Sequence, residues 1–374
     1  MDQFTISKIQ LYRISVPLKQ PFSTHLQTVT ERESIIVKMN DISGVIGLGE
    51  CVAFSSPWYT EETVKTCWDA LVKWLIPLLI GKKINHPSEV TKIFSKVKGN
   101  RMAKAALDQA AWDLFARKKG RPLWRLLGGV KSKIDAGIVL TGTIDEEMFE
   151  DVRTAVEAGY KRIKVKIDER TEPQILKNLV ESFKSTLFFA DANGLFSNLG
   201  MDALFKFDSV GLTLIEQPFG EDEWDLHIEA TRLMKTPIAL DESIRSVRDA
   251  LQMAETRAGS VIVLKPGRVG GITKCMEIID VATKYDLPIW IGGMIEFGVS
   301  KAHNLGLASL QQFSLPGDFS ASNHFWDSDP VEPNVTIEMG GIQLGDAPGI
   351  GVSLNDDVLE KYTIDSYEVI IGKG

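Results

Sequence analysis

Hydrophobic positions change their spacing twice along this chain of 374 residues. Near the N-terminus, ISKIQLYRISVPL and ESIIVKMN alternate apolar and polar residues as strands do, and GVIGLGECVAF follows as another strand after a turn at Asp41 to Gly44. EETVKTCWDALVKWLIPLL and SEVTKIFSKV then take helical spacing. AKAALDQAAWDLFARKKG reads as an amphipathic helix that stops near Gly120, and Leu126-Leu127-Gly128-Gly129 reads as the end of a shorter one. Strands followed by helices predict a small α+β domain over residues 1–130.

From residue 131 to 325 the pattern becomes a repeat. Short β-rich runs end in a polar residue or glycine, and a helical stretch follows each. The runs are DAGIVLTGT, KRIKVKID, TLFFADANG, LTLIEQPF, PIALDES, SVIVLKPGRVGG, LPIWIGGMIEFG and FSLPGDFS. The residues ending consecutive runs are evenly spaced: 25 from Lys166 to Asp191, from Asp191 to Glu216 and from Glu216 to Asp241, then 24 to Lys265. A doubly wound sheet also alternates strand and helix, but eight units of even length predict a closed α/β barrel. Residues 326–374 return to turns and short strands, NVTIEMGGIQL and SYEVIIG, expected to pack back on the first domain.

Composition narrows the partners. The 42 basic and 50 acidic residues leave a formal net charge of -8, which argues against nucleic acid or an anionic membrane while leaving room for a small anionic substrate. WLIPLLIG, Trp74 to Gly81, is too short to span a bilayer, and MDQFTISKIQ lacks the apolar core of a signal peptide. Cys51, Cys67 and Cys275 show no CxxC spacing, and an odd count fits a reducing, cytoplasmic setting.

In a barrel, the C-terminal ends of the strands surround one pocket, so the five evenly spaced residues converge there. Asp191, Glu216 and Asp241 would repel one another unless a cation lies between them. Three hard oxygen donors suit Mg2+, with Mn2+ as a substitute. The competing reading makes each acid a cap of the following helix, as Asp241 could be. Lys164 and Lys166 in KRIKVKID lie on the strand face opposite Ile163, Val165 and Ile167. If the isoleucines and valine meet the helices, both lysines point into the barrel, and Lys265 faces them from the strand SVIVL. Lysines snorkelling at strand ends are the bland alternative. Two lysines across a metal are arranged for proton transfer at a carbon between them. Burial and neighbouring cations can lower a lysine to serve as base, Lys164 acting so on Lys166. A metal and a lysine together suit removal of the proton next to a carboxylate, where charge develops on the carboxylate oxygens.

These residues resemble the enolase superfamily, in particular its muconate-lactonizing-enzyme-like branch with a KxK motif on the second barrel strand. KVK, LKPG and the acids ending strands three to five match its motifs; RESIIVKM and GVIGLGECVAF resemble its capping domain, and AALDQAAWDLFARKKGRPLWRLLGG its domain-joining helix. The resemblance implies a modified (β/α)7β barrel, Lys166 and Lys265 flanking a small carboxylate substrate, and Asp191, Glu216 and Asp241 as metal ligands. LKPGRVGG and IGGMIEFGVSKAHN are most similar to members that dehydrate a succinyl-hydroxycyclohexadiene carboxylate in menaquinone synthesis, or that racemise N-succinylamino acids. Dipeptide epimerisation is a further alternative. A homo-oligomer is compatible with all of these.

Other positions are less specific. PFSTH, Pro21 to His25, falls where the superfamily has a mobile loop over the substrate, which makes Ser23 a substrate-contact candidate. Asn193 could orient Asp191. Glu296 ends the seventh strand beside Gly292 and Gly293, a pair expected at a close approach. Arg268 is either a surface charge at a helix start or a neighbour of Lys265. His303, on a helical pattern, reads as a packing histidine. Gly267 to Gly271 lacks a full phosphate-loop pattern.

Overall fold

The computed structural model describes residues 3–24 and 26–372. His25, the end of the PFSTH stretch, lies outside the described residues. The N-terminal sheet is antiparallel: Phe4–Ser23 pairs with Thr28–Asp41, which pairs with Ile46–Cys51. The C-terminal strand Thr363–Ile370 joins the other side of Phe4–Ser23, so the two ends of the chain share one sheet. Tail segment Gly341–Gln343 behaves differently from the expectation for the tail. It pairs with the first barrel strand, and NVTIEM forms no extended strand before it.

The eight barrel strands are Lys133–Leu140, Arg162–Lys166, Leu187–Asp191, Leu214–Glu216, Ile238–Leu240, Val261–Leu264, Ile289–Ile291 and Gly317–Asp318. Strands one to seven pair in chain order, all parallel, and strand eight pairs with strand one. Strand eight also lies beside strand seven, which nearly closes the barrel. Alternation sorts the side chains into two cores. Ile163, Val165, Ile215, Leu240 and Leu264 face the helices. Phe189, Leu214, Ala239, Val263 and Trp290 fill the interior, so the barrel is plugged below the strand ends rather than hollow.

The helix Arg101–Lys118 differs from its sequence reading. It is not amphipathic, because Met102, Ala103 and every residue from Ala105 to Ala116 are buried. It runs between the antiparallel sheet and the barrel, with apolar contacts on both sides. Its buried acceptors are used: Asp113 accepts from the Leu48 and Ile350 amides, Gln109 Oε1 from Glu50 N, and Asp108 from Thr273. Gly47 and Gly49 let the third strand lie on this helix. A Cβ at Gly49 would come within 1.9 Å of the Ala106 carbonyl.

The sheet is fastened over the strand ends. The buried Arg32 guanidinium donates to the carbonyls of Val52 and Ala53 and to Ile295 of the seventh barrel loop. Glu50 accepts from the amides of Phe297 and Ser300, at the start of the helix Gly298–Ala308. His303 of that helix donates from Nε2 to the Leu48 carbonyl at 2.8 Å, a packing role. Burial pushes the His303 imidazole down to about 4. A folded-state value below the unfolded one means stability is full above pH 6.5 and is lost as pH falls towards 4. His303→Gln should therefore flatten the pH dependence of urea unfolding over that window by about 3 kcal/mol. An unchanged slope would show that His303 protonates freely in the folded protein.

No helix among the described residues is long and apolar enough to cross a membrane. Cys51, Cys67 and Cys275 are free and buried.

Candidate active site

Strand register lines up the predicted residues. Lys166 pairs with Asp191 and Asp191 with Glu216, so three polar side chains stand in a row at the ends of strands two, three and four. Asp241 and Lys265 directly follow strands five and six. Asp241 does not cap the next helix: Ser246 does, accepting from Asp249 N. A cavity between the strand ends and the antiparallel sheet is lined by Lys164, Lys166, Asp191, Asn193, Lys265 and Glu296, with Phe54, Trp58 and Tyr59 from the sheet side.

Both lysines of KVK point inward. Lys166 donates to Asp191 Oδ2 at 2.5 Å and to Asn193 Oδ1 at 2.6 Å. Lys164 is deeper, within 2.9 Å of Glu216 Oε2, 2.8 Å of Asp318 Oδ2 and 3.4 Å of Asp191 Oδ2. Burial opposes its charge, but Asp318, Glu216 and Asp191 outweigh burial and hold the ammonium well above its ordinary pKa. Lys265 stands 2.8 Å from Asp241 Oδ2 and donates to the Tyr59 hydroxyl at 2.9 Å. Its pKa is raised too, Asp241 prevailing over burial. A Cβ at Gly292 would lie 2.6 Å from Lys265 Cε, so that glycine makes room for the lysine side chain.

The acids divide by environment. Burial and the neighbouring Asp191 push Glu216 up to about 8, whereas Arg268 and Lys265 overcome burial and hold Asp241 far down. Glu216 Oε1 is buried without a hydrogen-bond partner. A buried carboxylate oxygen left bare is costly unless a cation completes it, so this donor set is chemically suited to a hard divalent ion. As they stand, the acids are turned to ammonium and guanidinium groups. No cluster of three or more His, Cys, Asp or Glu among the described residues is gathered around a common point.

The structure also places the less specific candidates, and Arg268 takes the second of its two readings, beside Lys265 on the Tyr59 hydroxyl. Arg268 is no surface charge. It is 3% exposed and donates to Asp241 Oδ1, the Tyr59 hydroxyl and the carbonyls of Ile244 and Val263. The Asn193 side chain holds Lys166 and Glu242 rather than Asp191, which it reaches only through its backbone amide. Ser23 bonds the Thr28 hydroxyl, while its neighbours Phe22 and Thr24 line the cavity. Glu296 lines the cavity, but both its oxygens are taken, by Met294 N and Asn304 Nδ2.

Sequence reasoning missed Asp318, Tyr59 and Arg162. Asp318 accepts from Lys164 and, at 2.5 Å, from the buried Arg162. Its strand has only two residues, too few for a pattern. Tyr59 lies in a loop outside any strand or helix, so no periodicity marks it. The charge of Arg162 on the Lys164 face of KRIKVKID was a visible signal.

An eight-stranded barrel with lysines on strands two and six, acids between them and an antiparallel sheet over the mouth defines a class. Residues 8–128 match the mandelate racemase / muconate lactonizing enzyme N-terminal domain, and residues 147–358 match the family described as enolase C-terminal domain-like. The chain belongs to the enolase superfamily. It is 42% identical over 357 residues, 96% of each chain, to the o-succinylbenzoate synthase of Bacillus subtilis (strain 168). It is 35% identical over 360 residues, 96% of this chain and 97% of the relative, to an N-succinylamino acid racemase of Thermus thermophilus. A solved enolase-superfamily structure from Listeria innocua Clip11262 matches with a TM-score of 0.95 at 35% identity, covering 98% of this chain and 99% of that one.

Proposed function

We propose that the chain is a lyase that dehydrates 2-succinyl-6-hydroxy-2,4-cyclohexadiene-1-carboxylate to o-succinylbenzoate, a step of menaquinone synthesis. The observation that carries the reading is the pair Lys166 and Lys265 lining one cavity, with Asp191, Glu216 and Asp241 ending the strands between theirs. Identity to synthases over nearly the whole chain supports it.

Lys166 takes the proton from the carbon bearing the substrate carboxylate, and its conjugate acid then protonates the departing hydroxide. Asn193 Oδ1 holds Lys166 Nζ in line for both steps. Lys265 stays an ammonium, fixed by Tyr59 and Asp241, and faces the charge that develops. Asp191, Glu216 and Asp241 would hold Mg2+, or Mn2+ in its place, and the ion would offset negative charge on the substrate carboxylate. Lys164, locked by three acids, supplies a positive charge beneath them. The free cysteines support a cytoplasmic setting.

Racemisation of N-succinylamino acids, or epimerisation of dipeptides, is the second reading. It is favoured by Arg268, whose guanidinium shares Asp241 and the Tyr59 hydroxyl with Lys265 and so competes for the charges that keep Lys265 protonated.

The test is turnover of the cyclohexadiene substrate with added Mg2+. The reading expects o-succinylbenzoate to form and chelation to stop it; no product with Mg2+ present would overturn it. Glu216→Gln should weaken Mg2+ binding at least about tenfold, since it removes one charged ligand. Calorimetry showing unchanged affinity would remove Glu216 from the ligand set.

A further inference from the structure

The helix Gly298–Ala308 begins just past the seventh barrel strand, and Lys301 lies near its start. Lys301 is 2% exposed and lines the same cavity as Lys166 and Lys265. Its Nζ is buried and has no hydrogen-bond partner. The other lysines of the cavity are all tied down: Lys164 by Glu216 and Asp318, Lys166 by Asp191 and Asn193, Lys265 by Asp241 and Tyr59. A buried ammonium without a partner is costly, and a protein retains one chiefly where something else completes it.

The nearby acids do not complete it. Glu296 is taken by Met294 N and Asn304, Glu50 by the Phe297 and Ser300 amides, and Asp329 by Gly298 N, Ser322 and Trp326. Among the described residues none forms an ion pair with Lys301. The Trp326 ring, 6.0 Å from Nζ, is at the outer limit of a cation–π contact. Phe22, Met294, Ile295 and Phe325 line the same cavity, with His324, whose imidazole is held neutral by burial and by the Lys301 charge. A buried cationic donor among mainly apolar lining residues is how a pocket fixes the orientation of a ligand with a charged end. The strand-end lysines and acids already account for the carboxylate at the reacting carbon, so Lys301 is available to a different group of the same molecule.

We propose that Lys301 receives a second carboxylate, the succinyl end of the substrate, and makes the cavity selective for dicarboxylates. The inference rests on the reaction proposed above, which supplies a substrate with two carboxylates.

Calorimetry with Mg2+ present compares o-succinylbenzoate with 2-butanoylbenzoate, which carries a methyl group where the distal carboxylate would be. The wild-type protein should bind o-succinylbenzoate about 10- to 100-fold more tightly, the range of a charge-assisted contact. Lys301→Met should erase that preference while leaving the affinity for 2-butanoylbenzoate unchanged, and Lys301→Arg should keep most of it. Equal affinities in the wild-type protein, or a preference that survives Lys301→Met, would overturn the proposal, as would failure of the wild-type protein to bind either compound. Should Lys301→Met fail to fold, the wild-type comparison decides alone. A wild-type protein that shows the preference, loses it in Lys301→Met, yet never dehydrates the cyclohexadiene would sustain the role of Lys301 and sink the reaction.

Discussion

Lys166→Ala should lose at least about 10³-fold in the rate of dehydration while the protein stays folded and binds Mg2+ as before. The magnitude follows from the role: without a positioned amine, the proton next to the carboxylate has no acceptor, and the hydroxide has no donor. Folding is spared because Lys166 is the least buried of the cavity lysines, with a side-chain exposure of 15%, and because Asp191 keeps Lys164 at 3.4 Å after the truncation. The same variant should stop exchange of the substrate proton with deuterated solvent. A variant retaining a tenth of the wild-type rate would show that another group is the base. Lys265→Ala, by contrast, removes an ammonium that faces developing charge, and its loss should appear in turnover without change in which proton is removed.

The second large effect concerns stability. Asp318 is the shared counter-charge of Lys164 and Arg162, both buried on the inner face of strand two. The carboxylate itself is held well below the ordinary range, since Lys164 and Arg162 outweigh its burial. Asp318→Asn keeps the shape but leaves two interior cations with one anion fewer. Breaking a buried pair in this way costs about 3–5 kcal/mol. Urea unfolding should show that loss, together with a lower melting temperature. A change below about 1 kcal/mol would mean that Glu216 and Asp191 alone can balance the cluster.

Asp318 also shows where the sequence stopped being readable. The barrel was legible because its strands end in charged residues at a spacing of 24 or 25, a long-range regularity that survives short strands. The inward turn of Lys164 and Lys166 was legible because alternation leaves Ile163, Val165 and Ile167 to the helices. Strand eight has two residues, so it offers neither alternation nor a terminal run, and its acid went unnoticed. Arg268 was ambiguous for a different reason. Its helix, Pro266–Val269, is one turn long, and what buries the guanidinium is Tyr59, about two hundred residues earlier in the chain. The helix Arg101–Lys118 misled because helical spacing does not show that a sheet and a barrel close on both of its sides, where its small alanines let them approach. Contacts made across the gap between sheet and barrel were thus the least visible, and Tyr59 and Arg268 owe their positions to contacts of this kind.

On the proposed reaction, two lysines facing one carbon make and direct the charge beside a carboxylate. The measurement that tests it most directly follows one protein preparation with Mg2+ in two parallel reactions. One records dehydration of the cyclohexadiene to o-succinylbenzoate; the other records deuterium incorporation and racemisation of N-succinylamino acids. Dehydration should be far faster than racemisation, with both abolished by Lys166→Ala. Racemisation outrunning dehydration would make Lys166 and Lys265 paired bases and the chain a racemase, and absence of both reactions would contradict this role of the two lysines.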